Sequence, residues 1–365
     1  MATRLRAWRA EWVVWALILA YIAFFAPLTV QRHNAFLTTA FDLGNVDQAV
    51  WNTRHGRPLA MTNIEGLTNR LGTHVEPILL PISLLYFIWS DPRALLLLQT
   101  VTIALGAWPV YLITKHALRD SERQTHDNQR ASGFGKQSIT TGSRPTLHAS
   151  RFTLHAIPVL FALVYLLFPA LQSANRFDFH AVALAPTFFL FAFYFLETER
   201  WALYALFSTL TLTCKEDMPL LVLMLGFYAL VVRRRLLAGL LTIAGSALWF
   251  ILAVGVIMPF FDLQGVAPLA NRYGYLGDGP AEIVVTIVTQ PRLVLDHLLT
   301  VENLSYLRDL MAPVAFLSLL APQVLILGAP TLLINLLSTD GFMRQLEGFH
   351  YAAPLVPIVV ISAAY

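Results

Sequence analysis

Ten apolar blocks divide this chain, at 12–30, 94–114, 156–173, 182–196, 201–214, 218–232, 236–258, 310–320, 323–337 and 351–365. They are too long and too pure for the one-sided helices that coat a soluble core. At 57% hydrophobic and 13% charged, the chain carries about half the charge of a soluble domain. The expected fold is therefore an all-α polytopic transmembrane bundle of roughly nine to eleven spans, forming one membrane domain over 1–365. Its solvent is the lipid bilayer, as in a bacterial inner or cell membrane. The final block stops at Tyr365 and is short for a crossing, so a C-terminal truncation is expected.

Arg4, Arg6 and Arg9 precede the first block, which is too long for a signal-peptide core and lacks a small-residue cleavage pattern after it. It reads as an uncleaved span. The block 77–89 is ambiguous, being short and holding Pro77 and Pro81 between Glu76 and Asp91. Positive charge decides it. If 77–89 lies along the membrane surface, the N-terminal arginines, the segment 115–155, Arg200 and Arg233–Arg235 all fall on the cytoplasmic side. The stretch 31–93 then becomes one large external loop with juxtamembrane helices. Segment 115–155 is polar and nearly free of large apolar residues, so a disordered cytoplasmic loop is expected there. The net charge of +3 concerns topology, and nucleic acid is not a partner. One cysteine, Cys214, excludes an internal disulfide framework and reads as a small apolar helix residue.

With that topology the concentrated polar motifs fall on the external side. Asp42 and Asp47 lie in Phe41–Gln48, His74 and Glu76 in Thr73–Pro77, and Arg176, Asp178 and His180 in the turn 174–181. Lys215, Glu216 and Asp217 form another turn, and His350 with Tyr351 precede the last block. Charges at the mouths of spans are functional candidates by default. Each has a plainer reading. Asp42 could cap the helix implied by Val46, Ala49, Val50 and Thr53, and Asp47 could serve that helix's dipole. His74 and Glu76 are candidate ligands of a divalent metal, but two ligands are fewer than a site needs. Lys215–Asp217 could be a self-satisfied turn. No Walker loop, dinucleotide fingerprint, His-Glu-x-x-His or nucleophile elbow occurs.

The order of these features resembles the GT-C superfamily of polyprenyl-phosphate-sugar glycosyltransferases. The residues that carry the resemblance are Ala40–Gly44, Gly56–Pro58, His74–Leu79 and the span entered through Leu95–Gln99. Through Asp42–Gly44 to Trp51–Thr53, Phe177–His180, Lys215–Asp217 and His350–Tyr351 the chain more closely resembles a bacterial membrane-protein family, domain of unknown function 2079. The superfamily resemblance implies an inverting transferase that uses a lipid-linked sugar donor at the external face. Asp42 would be the base, with Lys215, Arg176 and His180 toward the phosphate, and His74 and Glu76 on substrate or a metal. The sequence departs from the transferases in having Leu43 after Asp42 and His-Val-Glu-Pro at 74–77. A transporter or flippase of a lipid or amphipathic solute is the alternative, and it would place polar groups at mid-depth or in two gates.

Overall fold

The computed structural model describes residues 2–131, 153–262 and 272–365, and every regular element among them is helical. Three helices are long and apolar enough to cross a membrane: Ala10–Asn34, Arg93–Thr125 and Leu236–Phe261. A fourth candidate is a bent pair, His155–Leu167 and Pro169–Arg176, which meet at 44°. The bend falls at Pro169, where Phe168 is extended and the ring cannot continue the preceding ladder. Five more apolar helices are shorter, at Ala181–Glu197, Trp201–Leu212, Met218–Val232, Pro322–Leu337 and Ala353–Ser362. These coincide with expected blocks, so the protein is a helical membrane bundle in which four candidates have full crossing length.

In chain order the first elements are α1 (Ala2–Asn34), α2 (Asn45–Arg54), α3 (Leu79–Ile82, continued as a 3₁₀ turn through Phe87), α4 (Arg93–Leu105) and α5 (Ala107–Ala131). Next come α6 (Thr153–Leu167), α7 (Pro169–Arg176), α8 (Ala185–Glu197), α9 (Trp201–Leu212), α10 (Met218–Phe227), α11 (Leu236–Leu252) and α12 (Met258–Phe261). Helix α1 packs on α4 and α6, α5 on α6, α8 on α9, and α10 on α11. Tyr111, Tyr165, Phe168, Phe179, Phe189 and Phe193 fill the common core. Glycine sets the closest approach. A Cβ at Gly239 would meet Leu230 at 2.7 Å, and one at Gly226 would meet Ile243 at 2.9 Å, so α10 and α11 touch through backbone.

Three expectations are corrected. Residues 115–131 are helix, the continuation of α5, rather than the start of a disordered loop; 132–152 lie outside the described residues. Lys115 reaches Glu11 on α1 at 2.9 Å, and His116 pairs with Asp120 one turn on, which holds a polar sequence helical. The block 310–320 is not a continuous helix. Val301–Met311 ends there, and Ala315 and Phe316 both have left-handed backbones, with φ of 52° and 60°. Cys214 is buried in the turn after α9 rather than in a helix.

Residues 31–93 form a folded layer at one end of the bundle. Val46, Ala49 and Val50 are buried on one face of α2, and Gly56 takes the left-handed conformation just past its end. Asn52 Nδ2 donates to the Ala60 carbonyl at 2.7 Å, and Leu59 N–H donates to Thr53 Oγ1 at 2.9 Å, which folds the following loop back on the helix. Segment Leu79–Phe87 buries Leu79, Ile82 and Tyr86 and exposes Leu80, Leu84 and Phe87. Nine residues fall well short of the roughly 20 that a crossing needs, and one apolar face suits an interfacial position.

Candidate functional site

Four segments far apart in sequence, 39–76, 178–180, 215–217 and 350–351, join in one connected cluster that includes Asp42. Thr39 ends the extended stretch after α1, and its hydroxyl accepts from Asp42 N–H at 3.0 Å, which starts the wide turn Ala40–Gly44. The cap of this turn is Thr39, and no side chain caps α2. The Asp42 carboxylate is therefore left for other partners. Thr39 Oγ1 lies 3.2 Å from Asp42 Oδ2 and 2.9 Å from Asp178 Oδ2, so one hydroxyl proton serves two carboxylates. Asp178 Oδ2 also accepts from Thr39 N–H at 2.7 Å.

His180 follows in the extended segment after α7. Its N–H donates to Gln99 Oε1 at 3.0 Å, and Gln99 Nε2 donates to the Ala174 carbonyl at 2.9 Å, which ties this segment to α4. Its Nδ1 is 3.0 Å from the Asp178 carbonyl, which can only accept, so Nδ1 carries hydrogen. That leaves Nε2 facing Asp42 Oδ1 at 3.5 Å. Burial pushes the Asp42 carboxyl up. The His180 contact and charge, the Thr39 hydroxyl and the Arg70 charge outweigh it and hold the group below the usual range. Its side chain remains 27% exposed, so a substrate can reach it.

Behind His180 lies His350, with ring centres 3.8 Å apart and planes nearly parallel. Phe177 and Tyr351 close the stack. His350 is 6% exposed, and its Nδ1 has no hydrogen-bond partner among the described residues. Burial, then the charges of His180, Lys215, His74 and Arg272, push it well below the ordinary histidine range, so it is neutral. Tyr351 in turn carries two cations near its ring, Lys215 Nζ and the Arg272 guanidinium, both 5.8 Å from its centre.

The turn Lys215–Asp217 is only partly self-satisfied. Lys215 lies 3.6 Å from Asp217 Oδ1, but Glu216 reaches into the 31–93 layer. His74 Nδ1 is 2.9 Å from Glu216 Oε1, and Val75 N–H donates to Oε2 at 3.1 Å. Burial pushes the Glu216 carboxyl up, and His74 and Lys215 more than reverse it. Glu76 is engaged elsewhere, with Arg70 Nε at 2.8 Å. His74 and Glu76 thus face different partners. No three metal-ligating side chains among the described residues stand close enough to hold an ion, so the pair does not fit a divalent metal site.

Two predicted residues stand apart. Asp47 accepts from Tyr86 Oη at 2.5 Å, and burial pushes its carboxyl up. That bond ties α2 to the segment Leu79–Phe87. Arg176 ends α7, exposed, with no acidic partner among the described residues. The cluster also contains residues that the sequence did not single out: Thr39, Arg70, Gln99 and Arg272. Arg272 pairs with Asp340 at 2.8 Å, and its carbonyl accepts from Thr339 N–H at 3.0 Å, bringing a fifth segment to the site.

Comparison with protein families gives one match, over residues 32–365, to the family described as Predicted membrane protein (DUF2079). The chain belongs to that family. The match spans α1's last turn through the final helix, so it contains every residue of the cluster. No curated protein and no solved structure matches this DUF2079 chain.

Proposed function

We propose that this DUF2079 protein is a membrane glycosyltransferase of GT-C type that moves a sugar from a polyprenyl-phosphate donor to an acceptor hydroxyl at the external face. The observation that carries the reading is the gathering of Asp42, Asp178, His180, Lys215, His350 and Tyr351 at one end of the bundle, around a carboxylate that stays ionised and accessible.

In this mechanism the acceptor oxygen forms a bond to the anomeric carbon as the bond from that carbon to the phosphate oxygen breaks. The polyprenyl phosphate leaves with the electron pair, Asp42 takes the hydroxyl proton, and the configuration inverts. A phosphate leaving group needs little protonation, so a base and nearby cations suffice. Lys215, Arg70 and Arg272 already hold carboxylates. Arg176 has no acidic partner among the described residues and is a cation available to the donor phosphate. The neutral Nδ1 of His350 is an acceptor or donor for a sugar hydroxyl that enters beside it.

Concentration of these groups at one end, rather than in two gates, favours transfer over transport. The test follows a labelled sugar in vesicles containing the protein and a panel of polyprenyl-phosphate donors. Label joined covalently to an acceptor, or released by donor hydrolysis, supports the transferase. Label that crosses the membrane still on its lipid supports the flippase.

A further inference from the structure

Helix α9 packs on α8, and α11 on α10, which leaves a groove between α9 and α11 at the opposite end of the bundle. The groove encloses about 680 Å³ and is walled mainly by apolar side chains. Trp201, Arg234 and Arg235 stand at its mouth. Inside, Tyr204 and Ser208, one turn apart on α9, line it together with Thr242 and Ser246, one turn apart on α11. Tyr204 Oη and Thr242 Oγ1 are 2.7 Å apart. Ser246 is 1% exposed, and its hydroxyl has no partner among the described residues. A buried hydroxyl in a membrane helix ordinarily bonds a carbonyl one turn back or a neighbouring helix. One that does neither, on a cavity wall, is available to an occupant.

The three arginines of the 233–235 run are not equivalent. Arg233 bonds Glu197 at 3.1 Å, and Arg235 bonds Glu199. Arg234 is exposed, has no acidic partner among the described residues, and is held in the left-handed region at φ 54°. Charge complementarity at the mouth therefore calls for an anion. Tyr204 lies three residues along α9 from Trp201, roughly 4–5 Å deeper. Beyond it Ala205, Leu212 and Leu241 supply apolar wall between the hydroxyls of Ser208, Thr209 and Ser246, and the Leu212 carbonyl accepts from Trp249 Nε1 at 3.2 Å.

We propose that this groove is a binding site for one anionic phospholipid from the leaflet at the arginine-bearing end. Its phosphate sits on Arg234, its ester groups lie at the Tyr204–Thr242 hydroxyls directly beneath, and one acyl chain runs along α9 and α11. The site is separate from the Asp42 cluster and does not depend on the reaction proposed there.

Native mass spectrometry of the full chain, released from vesicles of equal parts phosphatidylglycerol and phosphatidylcholine, tests it. The wild type should retain one phosphatidylglycerol with at least several-fold preference. Arg234→Gln should lose the preference. Gly245→Leu should lose the retained lipid of either kind, because Gly245 lines the groove and a Cβ there points into open space. Leucine also favours helix over glycine, so an unchanged melting temperature should accompany the loss. Equal retention of the two lipids by the wild type would overturn the proposal. So would a preference that persists in Arg234→Gln, or phosphatidylglycerol retention unchanged in Gly245→Leu.

Discussion

His350 shows how a single side chain is set by its surroundings. Its ring is buried against His180, Phe177 and Tyr351, and those neighbours, with nearby cations, keep it neutral. The sign of the linkage follows. A histidine whose folded pKa lies below its unfolded value binds fewer protons folded than unfolded at acid pH, so its contribution is complete above about pH 6.5 and is lost below it. Each pH unit below that value removes up to about 1.4 kcal/mol. The melting temperature of the wild type should therefore fall between about pH 7.5 and 5.5, and that of His350→Gln should fall less. Equal falls would show that His350 is not the group responsible. At this scale the sequence revealed charged residues at span mouths, which is why Asp42, His180, Lys215 and His350 could be named. It did not reveal their partners. Thr39 and Gln99 are neutral and unremarkable in sequence, yet they place Asp178 and His180. His74 and Glu76, two residues apart, proved to serve Glu216 and Arg70.

Among the elements, apolar content located helices well and their continuity poorly. Blocks 182–196, 201–214 and 218–232 are helical over most of their length because Pro186 and Pro219 stand in first turns, where no ladder bond is lost, whereas Pro313 and the left-handed pair Ala315–Phe316 break 310–320 into turns. That 77–89 is too short for a crossing was legible from its length, and the helix found there runs only over Leu79–Phe87. The packing of the 31–93 layer was not legible, because it depends on Glu216, which lies on another element 141 residues beyond Val75. Removing the Glu216 charge should loosen that layer. Hydrogen bonds to a charged group are worth about 1.5–3 kcal/mol each, so Glu216→Gln should speed proteolysis within 55–75 several-fold while the helical bundle stays protected. Cleavage at the wild-type rate would mean that the turn is self-contained.

For the molecule as a whole, the two ends of the bundle differ in what they carry. One gathers the Asp42 cluster and the folded 31–93 layer, and the other carries Arg200, the triple arginine and the α9–α11 groove. The charge distribution predicts that the Asp42 end faces outward. Cysteine labelling can read this directly, because Cys214 is buried. In a Cys214→Ala background, a membrane-impermeant maleimide added to intact cells should label Asn63→Cys and spare Arg234→Cys. The reverse pattern would invert the bundle and move the proposed reaction inside. The central claim is that Asp42 is the base of sugar transfer, and its neighbour Asp47 supplies the control. The measurement is the transfer rate from polyprenyl-phosphate sugars by Asp42→Asn and Asp47→Asn, each beside the wild type. Loss of a general base lowers rates by about 10²–10⁴-fold. The account predicts that loss for Asp42→Asn with its melting temperature kept, and a change of a few-fold for Asp47→Asn, whose carboxylate is held by Tyr86. Wild-type transfer by Asp42→Asn, or equal losses in the two variants, would contradict it.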